Sequence, residues 1–145
     1  MSTGVLLDTH VWVWLANGLL HPDPVLVEQL DRAGSNDSLF LCSISLYEVA
    51  NGARRGRISL LRSLEDWFAA NLVRPGVRIV AVTPEIAIET TRLPAGFHGD
   101  PGDRLIAATA RVEELTLVTH DKALLRFGKQ GHLRVLKARQ KRSPA

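Results

Sequence analysis

The sequence has little of what staples a small protein or anchors one in a membrane. A single cysteine, Cys42, in 145 residues excludes an intramolecular disulfide and any cysteine-based zinc centre. No apolar run reaches the roughly 18 residues that a membrane-spanning helix requires. The opening Met1-Ser-Thr-Gly4 carries no positive side chain, and Asp8 and His10 interrupt the apolar stretch behind it, so it does not read as a secretory signal. Together these absences point to a reducing cytoplasm. Repeats, low-complexity tracts and internal linkers are also missing. What is present is ordinary for a globular protein, 46% hydrophobic and 23% charged residues, which argues against a disordered chain, a fibre or a coiled coil. The length fits one domain, able to bury roughly 68–70% of its unfolded surface.

Acidic side chains are missing from one region altogether. Residues 122–145 hold eight of the 18 Lys and Arg and no Asp or Glu, although the whole chain is only +3. The preceding 121 residues carry ten basic and fifteen acidic side chains. A mildly acidic body with a basic end suits a nucleic-acid partner, and it equally suits a solubilising tail. The expected division is a single domain over residues 1–136 and a basic, flexible C-terminal tail over 137–145.

Short apolar runs alternate with helical patterns. Gly4-Val-Leu-Leu-Asp8, Leu39–Cys42, Val77–Val82, Leu115–Thr119 and Leu133–Leu136 read as strands. Between them, His10–Leu20, Val25–Ala33, Ser43–Arg54, a Leu60–Leu72 face, Pro84–Arg92, Asp100–Glu114 and Asp121–Phe127 read as helices. This alternation predicts an α/β fold with a mostly parallel central sheet. Val11 to Leu15 are all apolar, and a helix cannot turn all five toward one core, so part of that surface is expected to meet another chain or a flanking helix.

In such a sheet, ligands bind beyond the carboxyl ends of the strands. Asp8 and Asp121 follow two strands there. Glu48 and Asp103 lie early in helices that leave the same edge. Each acid also has a purely structural explanation. Asp8 and Asp121 suit helix N-caps, Ser45-Leu-Tyr-Glu48 suits a capping box, and Asp100-Pro101-Gly-Asp103 suits a capped start with an acid in the first turn. Taken together they suggest more. Two carboxylates about 4 Å apart repel by roughly 4 kcal/mol at an effective dielectric of 20, so four converging acids call for a cation. Oxygen ligands without cysteine or a histidine cluster select Mg²⁺ or Mn²⁺. Such an ion suits phosphodiester hydrolysis, because it acidifies water and offsets charge on the scissile phosphate. The basic end would then hold the substrate backbone.

Four blocks carry a family resemblance: Leu6-Leu-Asp-Thr-His-Val-Trp12, Ser43-Ile-Ser-Leu-Tyr-Glu-Val49, His98-Gly-Asp-Pro-Gly-Asp-Arg-Leu-Ile-Ala107 and Leu117-Val-Thr-His-Asp121. In this order they resemble the PIN-domain ribonucleases, most closely the VapC-type toxins of bacterial toxin–antitoxin pairs. The resemblance implies a three-layer α/β/α sandwich and a Mg²⁺- or Mn²⁺-dependent endoribonuclease. It also implies a small antitoxin that blocks the site, and a homodimer or toxin–antitoxin hetero-oligomer. Carried over by residue, it makes Asp8, Glu48, Asp103 and Asp121 the catalytic, metal-holding acids. Asp103 takes the third place because it directly precedes Arg-Leu-Ile-Ala. Asp100 and Thr119 come second, as an extra acid and as a small hydroxyl beside the site. His98 and Arg104 are candidates for substrate contact, Arg104 equally for a salt bridge. His10 and His120 read as structural or solvent-facing. Position 102 is often aromatic in this subgroup and is glycine here, which is expected to loosen the helix start without removing a ligand.

A haloacid-dehalogenase-like phosphatase would need a second Asp where His10 stands, and a response-regulator receiver would need an acidic pair near the first strand. The flap-nuclease branch carries acids and insertions that this chain lacks. The remaining alternative is a catalytically silent PIN-like module that binds RNA or protein. Loss of an acid would mark it, and all four acids are present.

Overall fold

A computed structural model describes residues 4–73, 76–97 and 99–142. Five short strands form the sheet: β1 (Val5–Leu7), β2 (Leu39–Cys42), β3 (Arg78–Val80), β4 (Thr116–Thr119) and β5 (Val135–Lys137). Their order is β3-β2-β1-β4-β5, and every pairing is parallel. Seven helices are described: α1 (Thr9–Ala16), α2 (Pro24–Ser35), α3 (Ile44–Arg54), α4 (Leu64–Val73), α5 (Pro84–Thr90), α6 (Pro101–Val112) and α7 (Lys122–Lys129).

β1 is buried along its whole length and sends alternate side chains to opposite faces of the sheet. Val5 and Leu7 pack with Trp12 of α1, Leu26 of α2 and Trp67 of α4. Leu6 packs with Cys42, Leu117, Ile106 of α6 and Leu124 of α7. Helices therefore cover both faces, which is the expected α/β/α sandwich. On the first face Trp12 and Trp67 meet edge to face at 4.8 Å, and Trp67 Nε1 donates to Asn17 Oδ1 at 2.9 Å. Burying an indole this way satisfies its only polar atom. None of the described helices is long and apolar enough to cross a membrane.

The local signals mostly act as read. Asp23, Thr83, Asp100 and Asp121 cap their helices through side-chain oxygens, and Pro24, Pro84 and Pro101 occupy first-turn positions. In α1, Val11, Trp12 and Val13 are buried while Trp14 is half-buried and Leu15 exposed. Two expectations change. The face drawn from Leu60 to Leu72 is not one helix: α4 begins at Leu64, and Leu61 is 93% exposed at φ 63°. Regular structure also continues past residue 136. Lys137 belongs to β5, Ala138 is buried with its N–H on Thr119 O at 2.9 Å, and Gln140 makes an antiparallel bridge to Leu20.

This topology decides where a site can form. From β1 the chain runs outward to β2 and β3, and then returns to add β4 and β5 on the other side. Connections leaving β1 and β4 diverge, and a crevice opens between them at the carboxyl edge.

Candidate active site

That crevice is a cleft of about 360 Å³, and five acids line it: Asp8, Glu48, Asp100, Asp103 and Asp121. Asp8 follows β1 and caps α1. Asp121 follows β4 and caps α7. Glu48 comes from α3, after β2, and Asp100 and Asp103 come from the start of α6. A larger groove of about 650 Å³ lies between α1, α2 and α4, but Trp12, Leu15, Leu30, Leu39 and Val77 make it mainly apolar, and Asp31 is its one titratable lining residue among the described residues.

Capping and convergence turn out to be the same arrangement. Asp8 Oδ1 accepts from Thr9 N at 2.8 Å, Asp100 Oδ1 from Asp103 N at 2.9 Å, and Asp121 Oδ1 from Leu124 N at 2.9 Å. Each cap ties down one carboxylate oxygen, and at Asp8 the second is held as well, by Thr119. Each cap also aims the positive end of a helix dipole at the acids, which eases their crowding.

Two threonines set the remaining geometry. Thr119 Oγ1 donates to Asp8 Oδ2 at 2.6 Å and accepts from Asp121 N at 3.1 Å, so one hydroxyl couples the ends of β1 and β4. Thr9 Oγ1 donates to Glu48 Oε1 at 2.6 Å and lies 2.7 Å from Ser45 Oγ. A threonine hydroxyl has one proton to give, so Ser45 is the donor in that second contact. The capping-box reading of Ser45 and Glu48 is thereby replaced. Ser43 stands at the N-cap position and makes no side-chain cap, and Ser45 and Glu48 both turn to Thr9. Gly102 also acquires a role. A Cβ at that position would press on the Glu48 carboxylate, meeting its Cδ at 2.9 Å. In this chain position 102 is small because Glu48 passes there.

The electrostatics follow from burial and crowding. Burial raises the Asp8 carboxyl above its ordinary value, against the bonds from Thr119 and Thr9 that lower it. Burial likewise raises Glu48, helped by the charges of Asp8 and Asp100 and opposed by the Thr9 bond. Asp103 is pushed up to about 7, first by burial and then by Asp100, Asp8, Asp121 and Glu48. Burial lowers the His120 imidazole, while Asp8 works the other way.

The donor set is hard oxygen, which suits Mg²⁺ or Mn²⁺. Among the described residues, no three of these groups already stand as a ready ligand cage for one ion. Mg²⁺ is usually held by one or two carboxylates with several waters retained, and an open cleft of this size accommodates such binding.

The other candidates divide. Thr119 lies beside Asp8 and Asp121. Arg104 does not line the cleft: its guanidinium donates to Phe97 O at 3.1 Å and Thr90 O at 3.4 Å and lies 5.5 Å over the Phe97 ring. It fastens the 90–97 segment to α6, so neither the phosphate contact nor the salt bridge describes it. His98 lies outside the described residues. His10 and His120, read as structural or solvent-facing, both line the cleft. So do Tyr47, Asn51 and Arg57, which sequence reading missed. Tyr47 is 63% exposed. A helical spacing was the available signal, since Tyr47, Glu48 and Asn51 stand one, three and four residues apart on α3.

Comparison with known proteins agrees with this architecture. Residues 5–130 match the PIN domain family. Ribonuclease VapC22 of Mycobacterium tuberculosis is 36% identical over 122 residues, which cover 84% of this chain and 90% of the relative. Among solved structures, VapBC2 from Rickettsia felis bound to a promoter DNA fragment superposes with a TM-score of 0.69 at 20% identity, covering 93% of this chain and 98% of that one. DNA-bound VapBC from Salmonella typhimurium gives 0.66 at 22% identity, again over 93% and 98%. At those identities the solved structures speak for the fold alone. The family match and the 36% identical relative carry the assignment: the chain belongs to the PIN-domain family, in its VapC group.

Proposed function

We propose that this chain is a divalent-metal-dependent endoribonuclease, the toxin of a toxin–antitoxin pair, acting in the cytoplasm through Asp8, Glu48, Asp103 and Asp121. The observation that carries the reading is Asp103. It is half-buried in one cleft with four other acids, and burial and their charges raise its carboxyl to about 7, a crowding that a bound cation would relieve. Membership of the VapC group supports RNA as the substrate, and VapBC complexes among the structural neighbours support a small antitoxin as partner in a hetero-oligomer or around a homodimer.

When bound, Mg²⁺, or Mn²⁺ in its place, supplies an acidified water and neutralises charge on the phosphate and the leaving oxygen. The protein's part is to hold its acids still. Asp8 and Asp121 are fixed by caps and by Thr119, Glu48 by Thr9 and Ser45, and Asp103 by the capped start of α6. Asp100 adds charge at the rim. Hydrolysis of this kind leaves a 5′-phosphate and a 3′-hydroxyl, and the RNA 2′-hydroxyl is not the nucleophile.

The test is cleavage of total cellular RNA by antitoxin-free protein in Mg²⁺, Mn²⁺ or EDTA, with Asp8→Asn as control. Cleavage that requires metal and falls by about three orders of magnitude in Asp8→Asn supports the reading. A 2′,3′-cyclic phosphate as main product would refute the chemistry. No cleavage by folded protein in either metal would transfer the assignment to the silent binding module.

A further inference from the structure

Three rings meet at the rim of the acidic cleft. His10 and His120 approach edge to face at 5.4 Å, Trp14 lies 4.7 Å from His120, and His10 lies 6.4 Å from Trp14. Both imidazoles are exposed and line the cleft, and Trp14 is half-buried behind them. The fold has packed Trp12 and Trp67 into its core at 2% and 1% exposure, so Trp14 is the one indole that is not buried.

A basic strip begins beside these rings. The β4–β5 register pairs Thr119 with Lys137, and Ala138 N bonds Thr119 O, so Ala138 stands alongside His120 and Arg139 follows one residue further along the same edge. The chain then runs antiparallel to the segment after α1. Lys141 N donates to Leu19 O at 2.7 Å, Leu19 N to Trp14 O at 2.7 Å, and His21 N to Arg139 O at 2.9 Å. These bonds knit the rings and the strip into one surface. It ends in a groove of about 560 Å³ lined by His21, Arg139, Lys141 and Arg142 among others. The ion pairs of the described residues are Arg32–Glu28 and Arg111–Glu89, so within that set these cations have no acidic partner, and Arg139 rests only against His21 Nε2 at 3.4 Å.

Rings with accessible faces beside unpaired cations form the chemistry that binds single-stranded nucleic acid, bases on the rings and phosphates on the cations. We propose that single-stranded RNA leaves the acidic cleft over the β4–β5 end of the sheet, stacking a base on His10, Trp14 and His120 and laying the next phosphates on Arg139, Lys141 and Arg142. This rests on the ribonuclease reading and adds the path of the substrate. It also explains why cations concentrated at the chain end are built onto the sheet edge next to a cleft of opposite charge.

Tryptophan emission of the full chain is the readout, with a fluorescein-labelled 12-nucleotide single-stranded RNA in EDTA as the probe, an abasic oligonucleotide of equal length as its control, and label anisotropy reporting binding independently. The expected results are a quench by the base-bearing RNA, none by the abasic one, and loss of the quench in Trp14→Phe. Combined Trp14→Phe and His120→Ala should weaken binding about tenfold. Arg139→Gln with Lys141→Gln and Arg142→Gln should flatten the slope of log K against log salt by about 2. No binding, binding without a quench, an equal quench by the abasic strand, or an unchanged salt slope would overturn the path. Cleavage of the same RNA in Mg²⁺ without a base-dependent quench refutes the path and leaves the ribonuclease reading intact. A base-dependent quench without cleavage in any metal does the reverse.

Discussion

The acidic cleft and the basic strip lie side by side at one edge of the sheet, yet they are built in opposite ways. Asp8 is buried, Glu48, Asp103 and Asp121 are half-buried and Asp100 is exposed at the rim; threonine hydroxyls and helix caps tie them, and they repel one another. The cations of the strip are exposed, and the backbone bonds that place them leave their side chains in solvent. Like charges gathered inside a protein cost stability and must be held in position by specific bonds. Charges at the surface cost little and need only a strand to carry them. The cleft is thus the strained, single-purpose region, and the strip is a broad electrostatic one.

The sharpest way to break that contrast is Asp103→Asn. Cleavage should fall by about two to three orders of magnitude, because a metal-facing charge is lost. Thermal stability of the metal-free protein should rise at pH 8, because a crowded charge is gone. The pH dependence has a definite sign. Asp103 ionises near its ordinary 3.8 when unfolded and at about 7 when folded. Between those values the folded protein keeps a proton that the unfolded chain releases, so this group's contribution to stability is greatest below about pH 4 and is lost as the pH rises through 7. Melting of metal-free protein from pH 5 to 8 checks this. Mg²⁺ should raise the melting temperature more at pH 8 than at pH 5, and Asp103→Asn should shrink that difference. A variant that is less stable at pH 8 would contradict the strained-cleft account.

A smaller effect is expected at the residues that hold the acids. Thr9→Val leaves Glu48 and Ser45 without their shared partner and should cost about 1–3 kcal/mol and ten- to a hundredfold in cleavage, whereas Thr9→Ser should restore most of both. Gly102→Ala pushes on the same carboxylate from the α6 side. Cleavage should fall several-fold while stability stays nearly level, since alanine's better helix propensity opposes the contact. Melting and initial rates read side by side separate these two cases.

The smallest effect tests the other region. Replacing Arg139, Lys141 and Arg142 together by Gln should change stability by no more than about 0.5 kcal/mol per site, as ordinary surface substitutions do. A large loss in a chemical-denaturation curve would mean that the strip is structural and that the two regions are less different than described.

Much of this was legible in the chain. Period and length of the apolar runs identified the mostly parallel α/β sheet, because strands buried on both faces read as short unbroken hydrophobic runs, and the family resemblance implied its three layers. The sheet-edge rule put Asp8, Glu48, Asp103 and Asp121 at one place. Reading failed where two local signals coincide with one pattern. Ser45-Leu-Tyr-Glu48 satisfies a capping box on paper, and only Thr9, 36 residues before Ser45, turns both side chains elsewhere. Arg104 follows a proposed metal acid in sequence, yet the helix carries it toward Phe97 and away from the cleft lining. The basic C-terminal residues look like a tail because charged runs usually are, and the partners that order residues 137–140, Thr119 and the segment after α1, are distant in sequence.

The sequence by itself determined the helices and strands, the caps that start them, and which residue types could serve a hard cation, since each rests on neighbours within a turn or two. Only the tertiary structure decided which caps became a site and which cations lay beside it. The reversal of strand order beside β1 brings Asp8 and Asp121 together across 113 residues, and the β4–β5 register carries the chain past His120 at Ala138 and on into Arg139. Those are relations between distant segments, fixed by how two apolar faces of one sheet are covered, and no local pattern records them.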